Sequence, residues 1–91
     1  MFLSSVEIEA ESTGQVNGVS VAVGRIYRAR PKGFSMRVRL VDLILEGRRR
    51  IAPVHAGSTL DFNGEHWLVL WVEKPLFGRG SIALSRMGRA V

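Results

Sequence analysis

Residues 59–72 constrain the fold of this chain more than any other stretch. Thr59-Leu60-Asp61-Phe62 and Glu65-His66-Trp67-Leu68-Val69-Leu70-Trp71-Val72 are strand-like runs separated only by Asn63-Gly64. The central residues of a two-residue type I′ turn need positive φ, which Asn and Gly tolerate, so this spacing predicts an antiparallel hairpin. The longer run is apolar on both faces. His66, Leu68, Leu70 and Val72 alternate with Trp67, Val69 and Trp71. A sheet with one wet side cannot hold such a strand, so it needs cover from a second layer or from a partner.

The rest of the chain repeats the two-residue period of a strand. Val6-Glu7-Ile8-Glu9-Ala10-Glu11 alternates apolar and acidic residues, pointing its three glutamates one way, into solvent. Thr13-Gly14 and Asn17-Gly18 read as punctuation. Val19-Ser20-Val21-Ala22-Val23 alternates again, with Gly24 as a bulge signal and a pattern that runs on through Ile26 and Tyr27. Pro31-Lys32-Gly33 is turn chemistry. Met36, Val38 and Leu40 share one face of the next run, opposite Arg37 and Arg39. The pattern then inverts, with Asp42 on the apolar side and Val41, Leu43 and Leu45 on the arginine side. A bulge near Val41, a strand end or a short helical turn would each account for this. Pro53 lacks an N–H, which makes a strand around it irregular or peripheral. Lys74-Pro75 ends the long strand, residues 76–80 form a loop, and Ser81-Ile82-Ala83-Leu84-Ser85 closes the set. About six short strands without a long amphipathic helix predict an all-β, single-domain chain over 1–91, a small antiparallel barrel or sandwich.

With 91 residues and no cysteine, this domain has one modest core and no disulfide to reinforce it. Such domains often gain burial from a partner or from copies of themselves. The absence of cysteine also excludes a thiol nucleophile and Cys-based zinc sites. No segment is apolar and long enough to cross a bilayer as a helix, and Met1-Phe2-Leu3-Ser4-Ser5 has neither the basic nor the apolar part of a signal peptide. A cytosolic protein, or a particle assembled in a cytosol, is the expectation.

The net charge of +5 is unevenly placed. Residues 1–18 carry only Glu7, Glu9 and Glu11. Residues 19–50 carry Arg25, Arg28, Arg30, Lys32, Arg37, Arg39, Arg48, Arg49 and Arg50 against Asp42 and Glu46. Such a middle segment suits a polyanion, or head-to-tail pairing with the acidic start of another copy. For any single arginine, the plainer reading is a solvated surface group. Several of Arg25, Arg28, Arg30, Arg37, Arg39, Arg48, Arg49 and Arg50 are expected to line one electropositive surface that meets an acidic partner, a neighbouring subunit, an adjacent ring or DNA, with Arg37, Arg39, Arg48, Arg49 and Arg50 as the candidates.

Catalytic chemistry finds no constellation here. His55 and His66 are the only histidines, with no cluster of carboxylates to complete a metal site. Ser35, Ser58 and Ser81 lie outside any Gly-x-Ser-x-Gly context. Phe77-Gly78-Arg79-Gly80-Ser81 lacks the lysine and the spacing of a P-loop. No enzyme, cofactor, metal or small-molecule substrate is expected. On the Trp strand, the plain reading is a central strand covered on both sides. The functional reading assigns Trp67, Val69 and Trp71 to a partner, since buried indoles are typical interface anchors, and gives Leu68 and Leu70 to the domain's own core.

The stretch from Gly57-Ser58-Thr59-Leu60-Asp61-Phe62-Asn63-Gly64-Glu65-His66-Trp67-Leu68-Val69 through Val72, Gly78 and Ile82-Ala83-Leu84 resembles the closing hairpin of small head-tail joining (head-completion or stopper) proteins of tailed bacteriophages. Ser58 stands where those proteins often carry Asp, and residues 1–56 do not share the likeness. The resemblance implies a virion protein of the neck or tail interface, assembled in the host cytoplasm. It further implies a homo-oligomeric ring with a β-barrel body, stacked on adjacent portal or tail proteins, with possible contact between its basic residues and DNA. The alternative from the residues themselves is a small β-barrel that binds nucleic acid, or regulates, through its arginine-rich middle. A bacterial accessory domain with a protein partner is a third.

Overall fold

In the computed structural model, which describes residues 5–47, 49–62 and 64–89, every regular element is a strand. The described residues form nine: β1 (Ser5–Glu9), β2 (Ser12–Val16), β3 (Val19–Val23), β4 (Tyr27–Ala29), β5 (Val38–Leu45), β6 (Arg49–Val54), β7 (Thr59–Phe62), β8 (Glu65–Glu73) and β9 (Ser81–Arg89). The chain is all-β, as the alternation implies, with more strands than the six expected and with β9 running past the expected Ser81–Ser85. One antiparallel sheet has the order β1-β9-β8-β7. The other is built on β5, which pairs with β3 and then β4, and with β6; β2 lies outside β3.

The turn chemistry explains several boundaries. Phe62 pairs with Glu65, as a two-residue hairpin requires; Gly64 has φ 73°, while Asn63 lies outside the described residues. Asn17-Gly18 makes a second such hairpin, with φ 50° and 79° between paired Val16 and Val19. Thr13-Gly14 is no turn and lies inside β2. The reversal comes earlier, at Ala10-Glu11, where Ser12 Oγ donates to the Glu9 carbonyl at 2.6 Å. Gly24 fits its reading as a bulge signal. Val23 pairs with Leu43 and Tyr27 with Leu40, so this edge carries one more residue than β5 does.

The two sheets enclose one core. Ile8, Leu60, Phe62, Trp67, Val69, Val72, Ile82 and Leu84 come from the first sheet. Val16, Val19, Val21, Val23, Val41, Leu43, Leu45 and Val54 come from the second. Burying each aliphatic side chain stabilises the fold by roughly 1.5–3 kcal/mol. Phe62 and Trp67 stack at 5.2 Å between centroids, with ring planes 6° apart. They fill the space between the sheets next to the hairpin turn.

Two facings run opposite to expectation. In β8, Trp67 (1% exposed) and Val69 are core, while Leu70 (41%) and Trp71 (38%) are outside. The indole fills more of the inter-sheet space than a leucine can, and its stack on Phe62 fixes the register. Val69 pairs with Leu84 and Trp71 with Ala83, so Leu70 is an extra residue. This bulge turns Trp71 outward and returns Val72 to the core. In β5 the inner residues are Val41, Leu43 and Leu45, whereas Leu40 belongs to the outer side with Asp42 and Ile44. β5 is a continuous strand with regular alternation, not a helical turn. The pairing shift near Val41 places its extra residue on β6, around Pro53.

Gly80 is the tightest point of the chain. A Cβ there would collide with the Glu73 carbonyl oxygen and press on Ile26 Cδ1, at φ +90°. Gly80→Ala is therefore expected to lower stability by about 2–4 kcal/mol, read by chemical denaturation. Trp67→Ala should cost about 3–5 kcal/mol, while Leu70→Ala should stay within about 1 kcal/mol. Equal losses at Trp67 and Leu70 would contradict the assignment of the two faces.

Candidate assembly surfaces

The outer side of the first sheet is acidic with an apolar centre. Glu7, Ala83 and Trp71 form one cross-strand row; Glu9, Ser81 and Glu73 form the next. Ser81 Oγ donates to Glu7 Oε2 at 2.8 Å. Asp61 lies on the same side and contacts its cross-strand neighbour His66 through Nδ1. Leu70 and Trp71 stand exposed among these carboxylates, beside half-buried Leu68.

At one end of the strands lie the loop 30–37 between β4 and β5 and the loop 74–80 between β8 and β9. The latter borders a cleft of mixed charge, lined by Glu9 and Glu73 as well as Arg39, Lys74 and Arg79. The Gly80 carbonyl accepts from the Ala10 N–H at 2.9 Å beside this cleft. Leu76 (91% exposed), Phe77 (86%) and Met36 (71%) project from the two loops. Arg28 pairs directly with Arg39 across the strands, and Arg37 Nη2 donates to the Arg28 carbonyl at 3.1 Å. Like charges directly opposite on a sheet destabilise it, so this pair favours a bound anion or carboxylate.

The described arginines do not all share one surface. Arg49 pairs with Leu45, six strand residues from Arg39, or about 20 Å along β5. Arg50 is bound to Asp42 on the outer side of the second sheet, and this hydrogen bond and charge raise its already high pKa. Arg48 lies outside the described residues. Arg37 and Arg39 therefore belong to the loop end, while Arg49 and Arg50 belong to a separate strip with a local counter-ion. A second ionic link ties the other end together: Glu65 accepts from Arg86 at 3.0 Å and from Asn17 at 2.8 Å.

Among the expected partner residues, Trp67 and Val69 are withdrawn into the core; Trp71 remains on a surface. The Trp67 indole N–H is buried without a hydrogen-bond partner among the described residues, so packing sets its place. Leu76 and Phe77 were legible as a loop but not as a surface. An apolar pair between Pro75 and Gly78 is the signal that marks them, since loop residues are normally polar.

Among the described residues, no three His, Asp or Glu side chains come together in a metal-binding arrangement. No helix there is long and apolar enough to cross a membrane. Comparison of the chain with family models, with curated proteins and with solved structures finds no match.

Reversing one charge tests the basic end. Arg28→Glu opposite Arg39 replaces repulsion with attraction, and should raise stability by about 0.2–0.5 kcal/mol after solvent screening. The same change should weaken binding to heparin. A lower melting temperature would show that the two guanidinium groups do not repel in the free chain.

Proposed function

We propose that this chain is a non-catalytic structural subunit that works by assembling with copies of itself, of the kind found at the neck or tail interface of a phage particle. The observation that carries this reading is the exposure of apolar groups in two separate places, Leu70 with Trp71 and Leu76 with Phe77. A small domain that leaves its indole and a phenylalanine in water gains by covering them. The likeness of residues 57–85 to head-tail joining proteins agrees in kind, since such proteins act as rings of subunits.

A second reading rests on the Arg28–Arg39 pair and its neighbour Arg37, which suit phosphates as well as carboxylates. In that case the chain binds nucleic acid through the loop end. One experiment separates the two. Sedimentation of the nuclease-treated protein over a range of concentrations should show growth from monomer to a discrete larger species. A mass that stays monomeric at every concentration, with nucleic-acid affinity falling steeply in salt, would remove the assembly reading in favour of nucleic-acid binding.

A further inference from the structure

We infer that the edge strand β2 pairs with β2 of a second copy, joining two domains into one continuous sheet about a two-fold axis. This rests on the self-assembly reading and names one of its contacts. Among the described strands, β1, β2, β4, β6 and β7 each pair with a single neighbour. All but β2 are blunted in the ways soluble proteins protect a sheet edge. β1 carries Glu7 and Glu9, and β4 carries Arg28. β6 carries Arg49, Arg50 and Pro53, and the short β7 carries Asp61. β2 has neither charge nor proline, and no charged residue occurs anywhere from Ser12 to Gly24.

The hairpin decides which backbone groups of β2 are open. Val16 and Val19 flank its two-residue turn, so each donates to and accepts from the other. Bonded pairs then alternate along the strands, which makes Gly14 with Val21 and Ser12 with Val23 the next two. Thr13 and Gln15 therefore turn their N–H and C=O groups away from β3. Among the described residues, no other backbone group bonds to them. Their side chains are exposed on the outer side of the second sheet, in register with Ala22 and Ser20.

A second β2 laid antiparallel, with Gly14 opposite its own counterpart, meets these groups one for one. Thr13 then lies opposite Gln15 of the second copy, and Gln15 opposite its Thr13. Each pair exchanges two main-chain bonds, and centring the strands on Thr13 or Gln15 instead would close only one such pair. Gly14 suits the centre, because a non-bonded pair brings its Cα atoms closest and glycine permits close approach of another backbone. Thr13 and Gln15 become polar neighbours across the junction, with no like charges opposed. This match of the strand to itself names a second copy as the occupant. The contact is isologous, so species built on it contain an even number of copies. It is also small, so it forms in a concentration-dependent manner.

The experiment uses two variants of the full chain, altered only at these two exposed side chains. Thr13→Lys with Gln15→Lys sets lysine against lysine twice across the two-fold axis. Thr13→Lys with Gln15→Glu sets lysine against glutamate twice in the same register. Circular dichroism should show both folded, because the altered side chains are exposed. In sedimentation, the double-lysine variant should raise the dissociation constant of the unmodified chain by roughly tenfold or more. The lysine–glutamate variant should associate at least as tightly as the unmodified chain. Amide exchange at Thr13 and Gln15 of the unmodified chain should slow as its concentration rises, and this measurement decides alone if the double-lysine variant does not fold. Undiminished association of the double-lysine variant, a lysine–glutamate variant equally weakened, or amides at Thr13 and Gln15 that never slow would overturn this contact while leaving self-assembly by another surface intact. An unmodified chain that stays monomeric at every concentration overturns the self-assembly reading itself.

Discussion

One extra residue in β8 determines what this domain buries and what it shows. Trp67 and Val69 point inward in regular alternation, and a strand without a bulge would next bring Trp71 inward and send Val72 out. At this level Val72 pairs with Ile82, and both belong to the core shared by the two sheets. Interiors pack at crystal-like density and resist a second indole. With Leu70 inserted, the compact Val72 takes the inner place and Trp71 is turned out over Ala83, which is almost fully covered. Beyond it β8 runs to Glu73, whose carbonyl lies close against Gly80 at the base of the exposed loop. The surface position of the indole thus follows from one irregularity in the core strand.

The fold was legible wherever the signal was local. Asn63-Gly64 and Asn17-Gly18 each demand positive φ, and turn chemistry of that kind leaves little choice of partner strand. The strand order depended on contacts far apart in sequence, and no local pattern encodes it. Facing was legible only where one side of a strand is polar. β3 shows this with its Ser20 and Ala22 outside and its valines within. β5 and β8 are apolar on both sides, so period alone could not say which side meets the opposite sheet. Leu40 illustrates the cost of guessing: it is nearly covered, yet it sits opposite Tyr27 and outside the main core. Thr13-Gly14 misled for another reason. Gly14 is a strand residue whose missing Cβ leaves room for Ile8, and a glycine that serves packing looks the same in sequence as one that serves a turn.

The charge pattern was legible as an imbalance and not as a surface. Along the chain the arginines form a single run, but antiparallel pairing divides that run. β5 carries Arg39 to one end of the sandwich, and the hairpin into β6 brings Arg49 to the other. Arg50 then meets Asp42, which neutralises part of the second group locally. What gathers instead is charge of both signs from distant segments: Lys74 and Arg79 from the loop 74–80 meet Arg39, Glu9 and Glu73 at one cleft. The acidic side is assembled in the same way, since Glu7 and Glu9 from β1 stand with Glu73 and Asp61 only because β9 lies between β1 and β8.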